Sequence, residues 1–261
     1  MGILNVTPDS FSDGGAFLAP EAAVTQALAM EAAGAGLIDI GGESTRPGAS
    51  PVSVEEELHR ILPVLQPLAT QLRIPISVDT SKAEVADAAL RAGACLINDV
   101  TALRGDPAMA GVVARHRAGI ILMHMRGSPR TMQRSPRYHE VVGEVRRFLA
   151  QAAARARAAG IRRNRILIDP GIGFGKTLRH TLELLRGLPR LLSLGYPVVL
   201  GASRKSFIGA LTEAPVDERL PGSLACVAFA QRLGVHVVRV HDVRDTVQCL
   251  RVLQAVERGR A

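Results

Sequence analysis

Three short stretches each set a hydrogen-bonding side chain straight after an aliphatic run. "SVDTSK" (77–82) supplies Asp79, "INDV" (97–100) supplies Asn98 and "DPGIGFGKT" (169–177) supplies Asp169. Carboxylates and an amide at the ends of apolar segments need partners to offset their desolvation. A heterocycle with several N–H and ring-nitrogen groups would supply them; a purely structural hydrogen-bond network is the alternative. "GASRKSFIG" (201–209) and "RVHDV" (239–243) add Lys205, Arg239 and His241. With a helix expected to open at Ser203–Ser206, its N-terminus attracting anions, this group suits an anionic substrate better than a solvated surface. "DPGIGFGKT" itself is no nucleotide loop. A P-loop needs glycine where Pro170 stands, and a dinucleotide fingerprint needs glycine where Lys176 stands. What remains is an Asp followed by glycines that let a ligand approach the backbone. Phe174, lacking local packing partners among them, suits a flat ring.

These residues require elements that bring them to one place. Aliphatic runs recur at Ile3–Val6, Leu37–Ile40, Ile76–Val78, Leu96–Ile97, Ile120–Met123, Ile166–Ile168, Val198–Leu200 and Val237–Val240. Between them lie helical patterns such as 20–33, 54–71, 83–92, 139–159, 178–194 and 222–233. Gly34, Gly93, Gly160, Gly195 and Gly234 follow helices where a left-handed cap is expected. Eight strands alternating with helices predict a single-domain α/β (β/α)8 TIM barrel over residues 1–261, in preference to a doubly wound open sheet. Polar residues stand at the end of every strand, from Asn5 and Thr7 on the first to Arg239 and His241 on the last. Helix capping accounts for Ser81, Asp99 and Asp242 only.

Composition narrows the function classes. The net charge is +8 and the pI about 10.4, but with two Tyr, six Phe and no Trp there is no platform for stacking bases. Nucleic acid is therefore not the expected partner. No apolar run is long enough for a membrane span, and the start lacks the basic opening of a signal peptide, so a soluble, cytoplasmic protein is expected. Cys95, Cys226 and Cys249 sit in apolar stretches and read as buried free thiols. Of 32 Lys and Arg, only Lys82, Lys176 and Lys205 are lysine, and each follows an expected strand. Arg and Lys are not interchangeable at crowded sites, which marks these three positions.

"MGILNVTPDSFSDGG", "DIGGESTRPGA", "SVDT", "INDV", "LMHMRG", "DPGIGFGKT", "GASRKSFIG" and "RVHDV" together resemble the dihydropteroate synthases, in order and from Met1 to about Gln254. The resemblance implies a (β/α)8 barrel, commonly a homodimer, that joins 6-hydroxymethyl-7,8-dihydropterin diphosphate to 4-aminobenzoate and releases pyrophosphate. It implies that Asp79, Asn98 and Asp169 bind the pterin edge, Lys205 the ring system, and Met123, Phe174 and Gly201 the slot. Arg239 and His241 then hold the diphosphate, and Asn5 helps to bind Mg²⁺. Thr45 and Arg46, on a second mobile loop, join the pterin diphosphate site, and Thr45, Pro47, Phe174, Ser203 and Lys205 lie around the aminobenzoate. Asp79, Asp169, Lys205, Arg239, His241 and Asp9 are the residues expected to carry the chemistry. The family's short leading segment is not seen, since Met1 almost opens the first strand. A corrinoid-dependent methyltransferase barrel and a catalytically silent pterin-binding paralogue are the competing readings.

The polar segment Thr7–Gly15 is expected to close over the diphosphate, with Asp9 steadying positive charge and Phe11 excluding water. Deleting Pro8–Ser12 is expected to abolish turnover; full activity in that deletion, measured by pyrophosphate release, would remove this role.

Overall fold

In the computed structural model, which describes residues 1–7, 18–45 and 48–259, the aliphatic runs pair as parallel strands. In chain order they are β1 (Gly2–Asn5), β2 (Ile38–Gly41), β3 (Ile76–Asp79), β4 (Leu96–Asp99), β5 (Gly119–Met123), β6 (Ile166–Asp169), β7 (Val199–Leu200) and β8 (Val237–Val238). The helices are α1 (Leu18–Ala32), α2 (Val54–Gln71), α3 (Ala83–Arg91), α4 (Met109–Arg115), α5 (Val141–Ala158), α6 (Leu178–Arg186), α7 (Leu188–Leu192), α8 (Ser206–Thr212), α9 (Leu220–Arg232) and α10 (Val243–Arg258). β1 to β6 are hydrogen-bonded neighbours in sequence order, and β7 pairs with β8. Single bridges, Ile168 to Val198 and Gly2 to Val240, join the two sheets and close the barrel.

The period of two along each strand divides the side chains between two environments. Leu4, Ile38, Ile40, Val78, Ile97, Ile120, Leu122 and Ile168 pack outward in one continuous core with the helices. Leu96, Ile121 and Val199, with Leu37, Leu167 and Val237, form a separate inner cluster. Every inward position nearer the C-terminal strand ends is free to be polar, because apolar packing lower in the barrel already holds the strands.

The expected cap glycines all adopt positive φ: Gly34 +98°, Gly93 +114°, Gly160 +94°, Gly195 +69° and Gly234 +84°. The expected single helix over 178–194 is instead two helices. Gly187 ends α6 with φ −83° and ψ 2°, and Pro189 stands in the first turn of α7. A Cβ at Gly187 would lie 2.6 Å from Val142 Cγ2, so close packing against α5 fixes that break. β7 and β8 are shorter than expected, with two residues each; Pro197, lacking an N–H, stands just ahead of β7. The cysteines are free, but none is buried: Cys95 is exposed, and Cys226 and Cys249 lie on half-exposed helix faces.

Candidate active site

The strand register places the acidic and amide side chains in layers. Asn5, Gly41, Asp79 and Asn98 are successive partners across β1 to β4. Asp39 and Ser77 pair two residues lower, and Met123 pairs with Asp169. Gly41 keeps its row open, since a Cβ there would lie 3.7 Å from both Asn5 Oδ1 and Asp79 Cβ.

Arg239 holds this floor together. Its Nε donates to Asp39 Oδ2 at 2.7 Å and its Nη2 to Asp79 Oδ2 at 3.1 Å. Asn98 Nδ2 also donates to Asp39 Oδ2, at 3.1 Å. The second oxygens, Asp39 Oδ1 and Asp79 Oδ1, are buried and have no hydrogen-bond partner among the described residues. Leaving such an acceptor unsatisfied costs about 1–3 kcal/mol. Burial therefore pushes the Asp79 carboxyl up to about 8, against the opposing pull of Arg239 and with the help of Asp39.

The opposite wall carries Asp169 and Lys205. Asp169 Oδ1 accepts from Gly171 N–H at 2.6 Å, and its backbone oxygen accepts from His124 N–H at 2.9 Å. Burial raises the Asp169 pKa, with Lys205 as the main opposing influence. Lys205 Nζ donates to the Ile172 carbonyl and lies 4.8 Å from the centre of the Phe174 ring. Burial lowers its pKa to about 8, offset by Asp169 and reinforced by Arg239. A Cβ at Gly201 would stand 3.8 Å from Lys205 Nζ and 3.9 Å from Arg239 Cβ, so this glycine keeps the space between the two cations clear. At the lip, Ser203 Oγ lies 3.0 Å from His241 Nδ1 and accepts from His241 N–H at 3.2 Å.

The structure thus gathers Asn5, Asp79, Asn98, Met123, Asp169, Phe174, Gly201, Ser203, Lys205, Arg239 and His241 at the C-terminal strand ends. Thr45 lines a cavity of about 100 Å³ together with Glu43, Glu57, Asp79, Thr101 and Met125. Asp9, Phe11, Arg46 and Pro47 lie outside the described residues. A larger cavity, about 200 Å³, is bounded by Arg117, Arg162 and Arg165; these residues lead into β5 and β6, at the opposite end of the barrel from the acidic floor.

Several expectations are corrected. Phe174 does have packing partners: it rests on a cluster of Val100, Met123, Met125 and Met132. α8 opens at Ser206 and has only seven residues, with Lys205 in its N-cap position, so the local positive charge comes from side chains. Arg204, at φ +55°, turns away to pair with Asp242, Nε to Oδ2 at 2.9 Å. Asp242 consequently makes no side-chain cap bond to α10. Asp99 orders its own loop by accepting from the N–H groups of Thr101 and Leu103, and the N-cap position of α3 is Lys82 rather than Ser81. Sequence reasoning assigned no role to Asp39, which is 0 % exposed. Its signal was a carboxylate between two isoleucines of a strand.

A closed parallel barrel whose polar side chains converge beyond the strand ends is the layout of barrel enzymes, and here acidic acceptors face cationic donors across one small space. A family model described as pterin binding enzyme matches residues 1–241. The dihydropteroate synthase of Escherichia coli (strain K12) is 49% identical over 98% of this chain and 90% of its own length. A dihydropteroate synthase structure from Xanthomonas albilineans with 4-aminobenzoic acid superposes with a TM-score of 0.93 at 51% identity, covering 98% of this chain and 92% of that one. Another from the same organism, in complex with 7,8-dihydropteroate, gives 0.89 at 48% identity over 98% and 92%. The chain belongs to the dihydropteroate synthase family, and it is a transferase of folate biosynthesis.

A pH-dependent stability difference follows from the buried acid. A carboxyl whose folded pKa lies above its unfolded value withdraws stability as pH rises from the ordinary carboxylate range towards the folded value. Asp79 is such a group, between about 4 and about 8. Asp79→Asn is therefore expected to gain stability relative to the parent across that window while losing turnover. Tm measured from pH 4 to 8 checks the first part; a constant difference would contradict the assigned burial cost.

Proposed function

We propose that the named side chains divide the condensation of a dihydropterin diphosphate with 4-aminobenzoate as follows. The observation that carries this reading is the pair of partnerless buried acceptors, Asp39 Oδ1 and Asp79 Oδ1, facing a wall that bears Asp169 and Lys205. The N–H edge of a pterin meets Asp79, Asn98 and Asp169, and hydrogen bonds to the carboxylate form draw the raised pKa of Asp79 back down. Met123 and Phe174 bound the slot, Gly201 leaves room for the ring, and Lys205 approaches it from the Phe174 side.

Chemistry occurs at the CH₂ between ring and diphosphate. If the C–O bond breaks ahead of amine attack, positive charge spreads into the pterin, where the fixed carboxylates of Asp79 and Asp169 stabilise it. Negative charge grows on the departing diphosphate, next to Arg239 and to His241, whose ring Ser203 holds. The aminobenzoate nitrogen is a weak nucleophile and needs mainly placement between Phe174, Ser203, Lys205 and Thr45. No enzyme-bound covalent intermediate is needed.

A divalent cation fits this site in one way. Among the described residues no cluster of His, Cys, Asp or Glu could hold a metal by itself. Asn5 offers one amide oxygen beside the open row at Gly41. Mg²⁺ characteristically keeps few protein ligands and takes substrate phosphate oxygens and water for the rest. Asn5 would be its protein ligand, and when bound the ion would supply neutralisation of the diphosphate charge. A homodimer is consistent with the apolar side chains left on α9 and α10, where Phe229, Val252 and Val256 are 43%, 65% and 73% exposed. No described helix is long and apolar enough to cross a membrane, in keeping with a cytoplasmic site of action.

Pyrophosphate release should require the pterin diphosphate, 4-aminobenzoate and Mg²⁺ together and should be matched by dihydropteroate formed. Release without the amine would point to a hydrolase instead. Lys205→Ala and Asp169→Asn are each expected to lower kcat/KM at least about tenfold, roughly 1.4 kcal/mol of barrier. Parental rates in both variants would contradict their roles.

A further inference from the structure

Each of the chain's three lysines makes a different set of contacts. Lys205 stands in the active site. Lys82 pairs with Glu43 and with Glu57, the latter at 2.5 Å. Lys176 is 4% exposed and touches none of the residues assigned to chemistry except the Phe174 backbone. Its Nζ lies 2.9 Å from Gly171 O, 2.9 Å from Phe174 O, 2.9 Å from His124 Nδ1 and 3.3 Å from His124 O.

The segment it serves is held mainly by side chains that reach its carbonyls. Gly171, Gly173 and Gly175 all have left-handed φ, at +65°, +83° and +65°, and contribute no side chains. The loop lies directly on the backbone beyond β5. A Cβ at Gly175 would come 2.6 Å from Arg126 O, and one at Gly171 would collide with the His124 carbonyl. Its carbonyls have no ladder to join. Instead, all five from residue 171 to 175 accept from side chains: Lys176 takes those of Gly171 and Phe174, Lys205 that of Ile172, Gln133 that of Gly173 and Tyr138 that of Gly175. The loop in turn delivers the Gly171 N–H to Asp169, the Ile172 carbonyl to Lys205 and the Phe174 ring to its place below Lys205 Nζ.

We propose that Lys176 is a positioning residue for the reaction: its buried amine gathers the Gly171 and Phe174 carbonyls and the His124 ring, and so fixes where the loop holds Phe174 and Lys205 against the aminobenzoate. Each alternative side chain fails for a stated reason. Methionine leaves the Phe174 carbonyl without its donor and the Gly171 carbonyl with only the Phe174 N–H. Arginine brings a rigid fork into a space shaped for one nitrogen. His124 supports the arrangement as a neutral ring, because burial, followed by the charges of Lys176 and Arg104, holds its pKa down to about 2.

This inference rests on the reading that Phe174 bounds the aminobenzoate, and a double-mutant cycle separates the two. Lys176→Met, Phe174→Ala and the double variant are assayed for kcat and for both KM values, with circular dichroism and Tm recorded. Lys176→Met is expected to keep the fold and raise the aminobenzoate KM about tenfold, since small displacements of positioning groups cost that order of efficiency. Phe174→Ala is expected to raise the same KM, and the double variant to fall at least about threefold short of the product of the two single effects. Multiplied effects in the double variant, or an unchanged aminobenzoate KM in folded Lys176→Met, would overturn the positioning role. An unchanged KM in Phe174→Ala would instead overturn the reading of the site, and this inference with it. Should Lys176→Met not fold, His124→Asn replaces it in the cycle. That variant removes the ring contact but leaves the carbonyl contacts of the amine, and the same non-additivity is required.

Discussion

The structure depends on keeping carboxylates inside an apolar barrel. Asp39, Asp79 and Asp169 are all buried; Arg239 bears on all three, Lys205 and Lys176 on Asp169, and the N-terminal ammonium on Asp39. Taking ions out of water costs several kcal/mol each unless geometry and hydrogen bonds repay it. Arg239 repays part by binding Asp39 and Asp79 at once. The repayment is incomplete, as the raised pKa values of Asp79 and Asp169 record. The buried acids therefore stay only partly compensated, an imbalance that weakens the empty fold. Under the proposed division of roles, positive charge developing on a dihydropterin would be stabilised by the same acids.

Holding that imbalance requires a rigid frame, and the alternation of strand side chains supplies it. The outward residues build a continuous core with the helices, while Leu96, Ile121 and Val199 close the barrel from within below the acidic layer. Stability and chemistry therefore occupy opposite faces of the same strands. Glycines complete the division: Gly41 and Gly201 keep space clear between the polar side chains, and the glycines of the 169–177 loop let it lie on a neighbouring backbone.

Much of this was legible in the sequence because it is local. Strand periodicity, cap glycines and polar strand ends each lie within a few residues, and Asp79, Asn98 and Asp169 could be placed together once eight strands were counted. What was not legible is pairing across the chain. Arg239 and Asp39 are 200 positions apart, and only barrel closure between β8 and β1 brings them together, so the neighbours of Arg239 in sequence point only to an anion-binding group with Lys205 and His241. Arg204 could not be told from Lys205 by position; its left-handed backbone turns it towards Asp242. The cysteines misled for the opposite reason. Apolar neighbours in sequence do not imply burial when the helix face is half exposed. The scarcity of lysine did carry information, and its content became clear when Lys82 and Lys176 proved to be ties between elements.

The barrel wall is not uniform. β1 to β6 are strands of four or five residues joined by ladders of three or four pairs, whereas β7 and β8 have two residues each, pair with one another and meet β6 and β1 through single bridges. Ser203, Lys205, Arg239 and His241 all stand on this thinly bonded sector, opposite the well-laddered sector that carries Asp79 and Asn98. Opening free energies in a protein follow such differences in local bonding. A pterin bound as proposed would touch both sectors. Ligand-linked stabilisation would then be concentrated in the seam.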